Sequence, residues 1–371
     1  MNSPGNRMNN TPALLTGALA FFFLSLIFLV MPAHAQTLKQ MPAPPPVPRL
    51  KPKPTPTPKP TPTPEYEVIR TTSNLVVVPV SVTDAQGQPF LGLTQNDFRV
   101  QEDGRPQEIA QMGDPEQVPL DIAVLLDVSA SVDARFVFEQ RTAADFLRQV
   151  LKKEDRASVF AIDQKPRLIQ ELTTVEIAAQ KLMTIAPARG FTAFFDSVLA
   201  AEAYLDKASP PGRRRLILVI SDGDDTARIL DVSANQSRNG ELQLMGTDAQ
   251  LRLIERAQAD VQREVQRGEI TFYSINPSGE TMHLNVRTAR SELGMERIAA
   301  ATGGAAFIPR TDSDLPDVFH RIASEIRSQY LIQYYSNNQS SDRAYRRIVV
   351  TAPVRPQLRV RAREGYYPKQ K

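Results

Sequence analysis

Hydrophobic and polar positions follow distinct rhythms along the chain. From Leu75 the run LVVVPVSVT puts Val76, Val78, Val80 and Val82 on one face at period two, the pattern of a half-buried strand. Pro79 falls on the other face and brings no amide donor, which predicts an edge strand. Asp84 to Gly87 supplies a turn. Phe98 to Glu102 reads as a second strand closed by the hairpin pair Asp103-Gly104, with Gln107 to Met112 available as its partner. This β unit, about residues 66–113, has too little apolar mass to stand comfortably alone. Period two returns at the far end in Tyr330–Tyr335, Tyr345–Thr351 and Leu358–Arg363. The last of these alternates Leu358, Val360 and Ala362 with Arg359, Arg361 and Arg363, predicting an exposed basic face over a buried one. Two arrangements satisfy these strands: one sandwich shared by 66–113 and 328–368 with the middle of the chain inserted, or two separate β appendages. The apolar deficit of the first segment favours the shared sandwich.

Between them the rhythm alternates. Leu120–Leu126 is almost wholly apolar, as for a strand buried on both faces. Strands are also expected over 157–162, 166–172, 215–220, 270–275 and 305–308. Helical spacing marks 135–152, 175–185, 196–207, 249–267, 295–302 and 314–328, and Gly303-Gly304 stops the fifth of these. Repeated strand–helix units predict an open, doubly wound, mostly parallel α/β sheet with helices on both faces. Ligand sites in such sheets lie outside the carboxyl ends of the strands.

The first 64 residues follow neither pattern. A short polar start with Arg7 precedes the apolar stretch Ala13–Val30, then Pro32 and Ala33-His34-Ala35. This reads as a secretory signal peptide over 1–35 cut after Ala35. The alternative is an uncleaved membrane anchor, since about 18 apolar residues just span a bilayer; the A-x-A site and Pro32 favour cleavage. Either way the remainder is expected outside the cytoplasm, in the periplasm, the cell envelope or secreted. Residues 36–64 form a linker in which KPKPTPTPKPTPTP cannot build a core and favours an extended polyproline rod reaching about 80 Å. The organisation expected is 1–35 signal peptide, 36–64 linker, 65–117 N-terminal β segment, 118–328 central α/β domain and 329–371 C-terminal β segment.

Charge adds one exclusion. The basic pI of about 9.0 comes from the leader and linker, which hold six basic residues and no acidic one; residues 65–371 carry 38 basic and 41 acidic side chains. A basic nucleic-acid-binding domain is therefore disfavoured, and no nucleic-acid partner is expected. With no Cys among 371 residues there is no disulfide framework, thiol nucleophile or lipid-attachment site. Three His leave almost no material for a two-His metal site or a Ser-His-Asp triad.

What remains is oxygen chemistry at strand ends. Asp127-Val-Ser129-Ala-Ser131 follows the first central strand, Ser221-Asp222-Gly223-Asp224-Asp225 follows 215–220, and Gly190-Phe-Thr192 precedes a helix between them. Side by side, these loops would assemble two carboxylates and three hydroxyls with no nitrogen or sulfur. Such hard donors suit Mg²⁺, Mn²⁺ or Ca²⁺. An ion held mainly by neutral hydroxyls and water stays electrophilic, so an incoming carboxylate can complete its shell. That is binding chemistry, and no bond need break. Asp224 and Asp225 read as solvated loop residues.

The three pieces in order make residues 120–328 resemble a von Willebrand factor type A domain, and the pieces resemble that family's metal-ion-dependent adhesion site. The resemblance implies that Ser129, Ser131 and, with ligand bound, Thr192 touch the ion directly, while Asp127 and Asp222 act directly or through water. It further implies a protein ligand presenting a carboxylate, and a closing helix 314–328 that shifts on binding. The flanks, VVVPVSVTDAQGQPFLGLTQNDFRVQEDGRPQEI and YLIQYY…REGYY, resemble those of a bacterial VWFA-related subfamily. The polar stretch Asp225–Asp248 stands out as an extended loop near the site that either shapes partner choice or is a passive insertion. The expected function is a secreted or envelope-tethered adhesion module and not an enzyme, with membrane contact only through an uncleaved N-terminus. A metal-independent envelope scaffold is the alternative. It draws on the nine basic residues and one acidic residue of 343–371. A metal-dependent hydrolase using Asp127 and Asp222 ranks third, because no general base or phosphate-cradling loop accompanies them.

Overall fold

The computed structural model describes residues 75–129, 134–188, 190–228, 246–278, 286–338, 340 and 342–368. The leader and the linker lie outside these residues, as do Ser131 and most of the stretch Asp225–Asp248.

The N-terminal strands are β1 (Leu75–Thr83), β2 (Arg99–Glu102), β3 (Arg105–Gln107) and β4 (Ile109–Gly113). The centre runs β5 (Leu120–Asp127), α1 (Ala134–Val150), β6 (Arg156–Ile162), β7 (Pro166–Thr173), α2 (Val175–Leu182), α3 (Phe194–Ala208), β8 (Arg214–Ile220), α4 (Thr247–Arg267), β9 (Ile270–Ile275), α5 (Val286–Thr302), β10 (Ala306–Phe307) and α6 (Leu315–Ser328). The chain closes with β11 (Tyr330–Tyr335), β12 (Arg346–Thr351), β13 (Arg359–Ala362) and β14 (Gly365–Tyr366).

The central sheet has the order β10-β9-β8-β5-β6-β7 and is parallel except for the β6–β7 hairpin. The apolar run of β5 is explained by two-sided burial. Ile122, Val124 and Leu126 pack on one face against Phe146, Leu147, Phe319 and Ile322 of α1 and α6. Ala123 and Leu125 pack on the other against Val198, Val261 and Ile298 of α3, α4 and α5. From β5 the chain winds outward to β6 and later, from β8, in the opposite direction. The sheet therefore reverses between β5 and β8, which places a crevice at their carboxyl ends.

Strands from both termini interleave in two antiparallel sheets, β13-β1-β11-β4 and β14-β12-β2-β3. Val76, Val78, Val80 and Val82 of β1 meet Phe98, Val100, Ile332, Tyr334 and Ile348 in one core. The shared sandwich is thus the arrangement adopted, and the α/β unit is inserted within it. The positive φ angles of Asp103 (49°) and Gly104 (77°) make the tight reversal between β2 and β3.

Three local expectations need correction. Strand β1 is not an edge: it pairs with β11 along Leu75–Val80 and with β13 along Val80–Thr83. Pro79 is accommodated because β13 stops one residue short of it. The partner of β2 in the hairpin is Arg105–Gln107, whereas Ile109–Gly113 crosses to β11 in the other sheet. Of the three arginines expected on an exposed basic face, only Arg359 is exposed. Arg361 pairs with Glu325 of α6, and Arg363 is buried and pairs with Glu269. The inserted α/β unit thus meets Arg361 and Arg363 through Glu325 and Glu269.

Candidate metal centre

Asp127 ends β5 and is buried, 8% exposed. Its position follows from register: β5 and β8 pair in parallel up to Leu126 opposite Ile220, so Asp127 and Ser221 emerge together. The Ser221 hydroxyl donates to Asp127 Oδ2 at 2.6 Å, and the Ser129 amide donates to Asp127 Oδ1 at 3.0 Å. Ser221 Oγ in turn accepts the Gly223 amide at 3.0 Å, folding the turn that presents half-buried Asp222. Asp222 Oδ1 accepts the Asp224 amide at 3.0 Å. Gly223 has φ 77°, a conformation that favours glycine, and a Cβ there would meet the Met295 side chain at 2.8 Å.

Burial pushes the Asp127 carboxyl up from its ordinary value, and the negative charge of Asp222 adds to this, while hydrogen bonds from Ser221 and Ser129 oppose it. Among the described residues neither Asp127 nor Asp222 has an ion-pair partner. Two carboxylates at one crevice, one of them buried, with serine hydroxyls beside them, fit a hard divalent cation. No group of three or more His, Cys, Asp or Glu able to hold a metal occurs among the described residues. Such a cation would therefore draw on hydroxyls and water as well as on Asp127 and Asp222.

Thr192 is buried in the loop before α3. Its amide donates to Thr226 Oγ1 at 2.8 Å, and its carbonyl accepts the Ala227 amide at 3.1 Å. Asp225 completes the clamp by accepting the Phe195 amide at 2.9 Å and the Arg228 amide at 3.0 Å. Thr192 is thus tied to the segment that follows Asp222. Asp225 is 2% exposed, which corrects its reading as a solvated loop residue: it caps the start of α3. Burial pushes its carboxyl up, against the two amide hydrogen bonds. Ser221 and Asp225 are the two site-shaping residues the sequence reading missed. The only signal for either was a polar side chain within two or three residues of Asp222.

Asp127, Ser129 and Asp222 therefore stand at adjacent strand ends, with Thr192 held by the loop leaving β8. Ser131 lies outside the described residues. Phe191, beside Thr192, is exposed, so an aromatic ring lies on the rim of this loop.

Among solved structures, the chain is similar to the PilB minor pilin from Streptococcus sanguinis, with 12% identity, coverage of 57% of this chain and 62% of that one, and a TM-score of 0.43. It is also similar to proximal thread matrix protein 1 from the mussel byssus, solved with a zinc-occupied MIDAS motif (12% identity, 62% and 50% coverage, TM-score 0.42). A third is the vWF domain of the type V pili tip protein Mfa5 from Porphyromonas gingivalis (13% identity, 56% and 95% coverage, TM-score 0.40). The chain thus spans less than two thirds of the pilin and about half of the byssus protein. No curated protein matches it. Residues 122–224, from β5 through the turn after β8, match the family model for the von Willebrand factor type A domain. The matched segment carries both strand ends and the Thr192 loop, and over those residues the α/β unit inserted in this chain's sandwich is of the von Willebrand factor type A type.

Proposed function

We propose that the chain is an extracytoplasmic, non-enzymatic binding module that captures a carboxylate of a protein partner through a divalent ion held by Asp127, Ser129, Ser131, Thr192 and Asp222. The observation that carries this reading is the pairing of buried Asp127 with Asp222 at adjacent strand ends, with serine hydroxyls and, among the described residues, no ion-pair partner to balance them. The bound ion would supply Lewis acidity toward an incoming oxygen. The chain's own contribution is to hold Asp127 rigid through Ser221, and to keep Thr192 in place through Thr226 and Asp225. Mg²⁺ is the ion favoured, with Mn²⁺ and Ca²⁺ as alternatives on the same donor chemistry. The leader and the proline-rich linker support placement in the envelope or beyond, at the end of a tether.

The test is thermal unfolding of the full chain followed by calorimetry, since the chain has no Trp, in EDTA and in Mg²⁺, Mn²⁺ or Ca²⁺. An ion at 100 times its Kd stabilises the native state by about 2.7 kcal/mol. A rise in midpoint that disappears in Asp127→Ala and Ser129→Ala supports the reading. No rise with any of the three ions, or a rise that persists in both variants, overturns it.

A further inference from the structure

The two most exposed large apolar side chains among the described residues lie on adjoining connections of the sandwich. Leu91, between β1 and β2, is 66% exposed, and Val354, between β12 and β13, is 67% exposed. They are far apart in sequence, yet their neighbours meet: the Arg355 guanidinium lies 5.4 Å from the centroid of the Phe90 ring.

Both tips are fixed by hydrogen bonds. The Tyr330 hydroxyl donates to the Phe90 carbonyl at 2.8 Å and accepts the Leu93 amide at 3.2 Å, so one side chain of β11 pins the backbone on both sides of Leu91. Gly92 has φ 85°, and a Cβ there would meet nothing within 4 Å, so this turn stands clear of the rest of the chain. Val354 lies between Pro353 and Pro356. Its turn is closed by the Arg355 amide on the Ala352 carbonyl and the Leu358 amide on the Arg355 carbonyl, both at 3.0 Å. A lone exposed apolar residue is ordinary; here two pinned apolar tips adjoin, with arginines beside them.

Arg359 of β13 lies opposite Thr83, which also bridges to Pro89, and Arg99 of β2 lies opposite Thr351, where the second connection begins. Both arginines are exposed, and neither has an ion-pair partner among the described residues. Arg99 donates only to the carbonyls of Asn96 and Phe98. Exposed Arg321 of α6 stands beside the turn after β1, with Nη2 3.2 Å from where a Cβ at Gly87 would lie. The carboxylates on these connections are already engaged. Asp84 accepts the Gln86 and Gln88 amides at 2.9 and 2.8 Å. Asp97 accepts the amide and hydroxyl of Thr94 at 2.8 and 2.9 Å and faces Arg355 at 3.9 Å. Arg99, Arg321, Arg355 and Arg359 thus outweigh Asp84 and Asp97.

We propose that this end of the sandwich docks on a bilayer surface with anionic headgroups: Leu91 and Val354 enter its apolar margin, and the arginines meet its phosphates. Two narrow tips offer too little flat area for a protein interface of ordinary size, about 800 Å² a side. A bilayer instead takes protruding apolar side chains with guanidinium groups at headgroup level. The tips read Pro89-Phe-Leu-Gly92 and Pro353-Val-Arg-Pro356, with no acidic residue on either. The contact is peripheral and independent of the divalent ion.

The experiment places an environment-sensitive dye on single cysteines in the full chain, which has none of its own. Leu91→Cys and Val354→Cys carry the dye at the tips; Arg105→Cys carries it past the β2–β3 reversal, at the other end of β2. All three positions are exposed. Each labelled chain is mixed, in EDTA, with vesicles of phosphatidylcholine with or without phosphatidylglycerol; EDTA keeps a bound ion from bridging to the phosphates. With phosphatidylglycerol the labels at 91 and 354 should shift to the blue and be quenched by nitroxide lipids. The label at 105 should do neither, and phosphatidylcholine alone should shift none of them. Arg99→Gln combined with Arg359→Gln should lower the ratio of inserted to free label roughly thirtyfold, from about 1 kcal/mol per arginine at an anionic surface. Arg347→Gln, exposed at the other end of β12, should leave that ratio unchanged. Tip labels that stay in water on anionic vesicles would overturn the proposal and leave the tips to a protein partner. Equal insertion into phosphatidylcholine alone, insertion of the label at 105 as well, or an equal loss in Arg347→Gln would overturn it too.

Discussion

Replacing Glu102 by Gln should cost about 3 kcal/mol, at the lower end of what breaking a buried ion pair costs. Glu102 and Arg346 are 1% and 2% exposed, in the sandwich core between an N-terminal and a C-terminal strand. The Glu102 carboxylate accepts hydroxyls from Ser336 at 2.6 Å, Tyr334 at 2.8 Å and Tyr366 at 3.1 Å. Arg346 Nη1 stands at 3.5 Å, a long contact that argues for the lower figure. An amide at position 102 keeps the volume but removes the charge opposite Arg346. It also points a donor at hydroxyls that now donate to a carboxylate. Among the described residues Arg346 would keep only neutral acceptors: the carbonyls of Asn338 at 3.2 Å and Ser340 at 2.8 Å and the hydroxyls of Ser336 at 3.2 Å and Tyr366 at 3.5 Å.

The assay is urea unfolding of the parent, Glu102→Gln, Arg346→Met and the double variant. If the pair acts as a unit, the double variant should cost at least 1 kcal/mol less than the sum of the singles. It should not return to the parent, because the amide leaves one accepting oxygen where the carboxylate offers two to three hydroxyls. Since Glu102 and Arg346 join strands from opposite ends of the chain, the loss should fall on the sandwich, read by tyrosine signals from Tyr334 and Tyr366. A Glu102→Gln cost below 1 kcal/mol, or strict additivity, would refute the reasoning.

Other expectations follow from buried carboxyls. Burial alone would raise Asp121, but hydrogen bonds from Arg156 and Arg213 outweigh it and hold the carboxyl below its ordinary value. Its stabilising contribution is therefore present above about pH 4 and lost as pH falls through the depressed value. Urea midpoints below pH 4 should fall more steeply for the parent than for Asp121→Asn. Glu139 shows the opposite sign: burial, with the charges of Asp312 and Asp127 adding and Arg135 opposing, pushes it up to about 7. The folded state then holds a proton that the unfolded chain releases near pH 4.5, so stability falls as pH rises from there to about 7. Glu139→Gln should gain up to about 3 kcal/mol at pH 8 and little at pH 4, measured by denaturant titration at both. Asp225→Ala should cost about 1–2 kcal/mol through the lost cap on α3, and calorimetry should show a smaller Mg²⁺-induced rise in midpoint as the Thr192 clamp loosens.

The strands and helices were legible wherever periodicity had one cause. Two-sided burial makes β5 apolar throughout, and one-sided burial sets the alternation of β1, so both could be read from residue order. The errors arose where a second body covers a face that alternation assigns to solvent. Arg361 and Arg363 alternate with small apolar residues as an exposed strand would, yet their outer face meets Glu325 and Glu269. No local pattern encodes that meeting, because the partners are 36 and 94 residues away. Pro79 misled for a related reason: an interior strand tolerates proline where a shorter neighbour has already ended. At the candidate site Asp127, Ser129 and Asp222 were singled out by residue type and position after a strand, and the structure places them at adjacent strand ends. Ser221 and Asp225 did not, since a serine supporting a carboxylate and an aspartate capping a helix look like any polar loop residue until the loops are folded together.

Glu325 bears on whether α6 can move. The resemblance to adhesive A domains implies a closing helix that shifts when ligand binds. In this chain α6 carries Glu325, whose Oε1 accepts the Ser81 hydroxyl of β1 at 2.9 Å and is also shared by Tyr273 of β9 and Arg361 of β13. Gln329, just past the helix, donates to Ser81 Oγ at 3.2 Å and accepts from Arg214 of β8. A slide of one helical turn, about 5.4 Å, would strip Arg361 and Tyr273 of their acceptor in a buried site. Parting a fully buried charge pair costs about 3–5 kcal/mol; with Arg361 34% exposed the lower end applies, and with the Tyr273 and Ser81 hydrogen bonds lost as well the cost exceeds the roughly 2.7 kcal/mol that an ion at 100 times its Kd supplies. We therefore expect α6 to stay in place when the divalent ion binds. The absence of Cys permits a direct measurement: spin labels on Cys introduced at exposed Gln149 of α1 and Ser324 of α6 report the distance between the helices. It should change by less than about 2 Å on adding Mg²⁺, and Glu325→Gln should widen the distribution. A displacement approaching a full turn in the otherwise unaltered chain would show that the sandwich drives the helix instead of holding it.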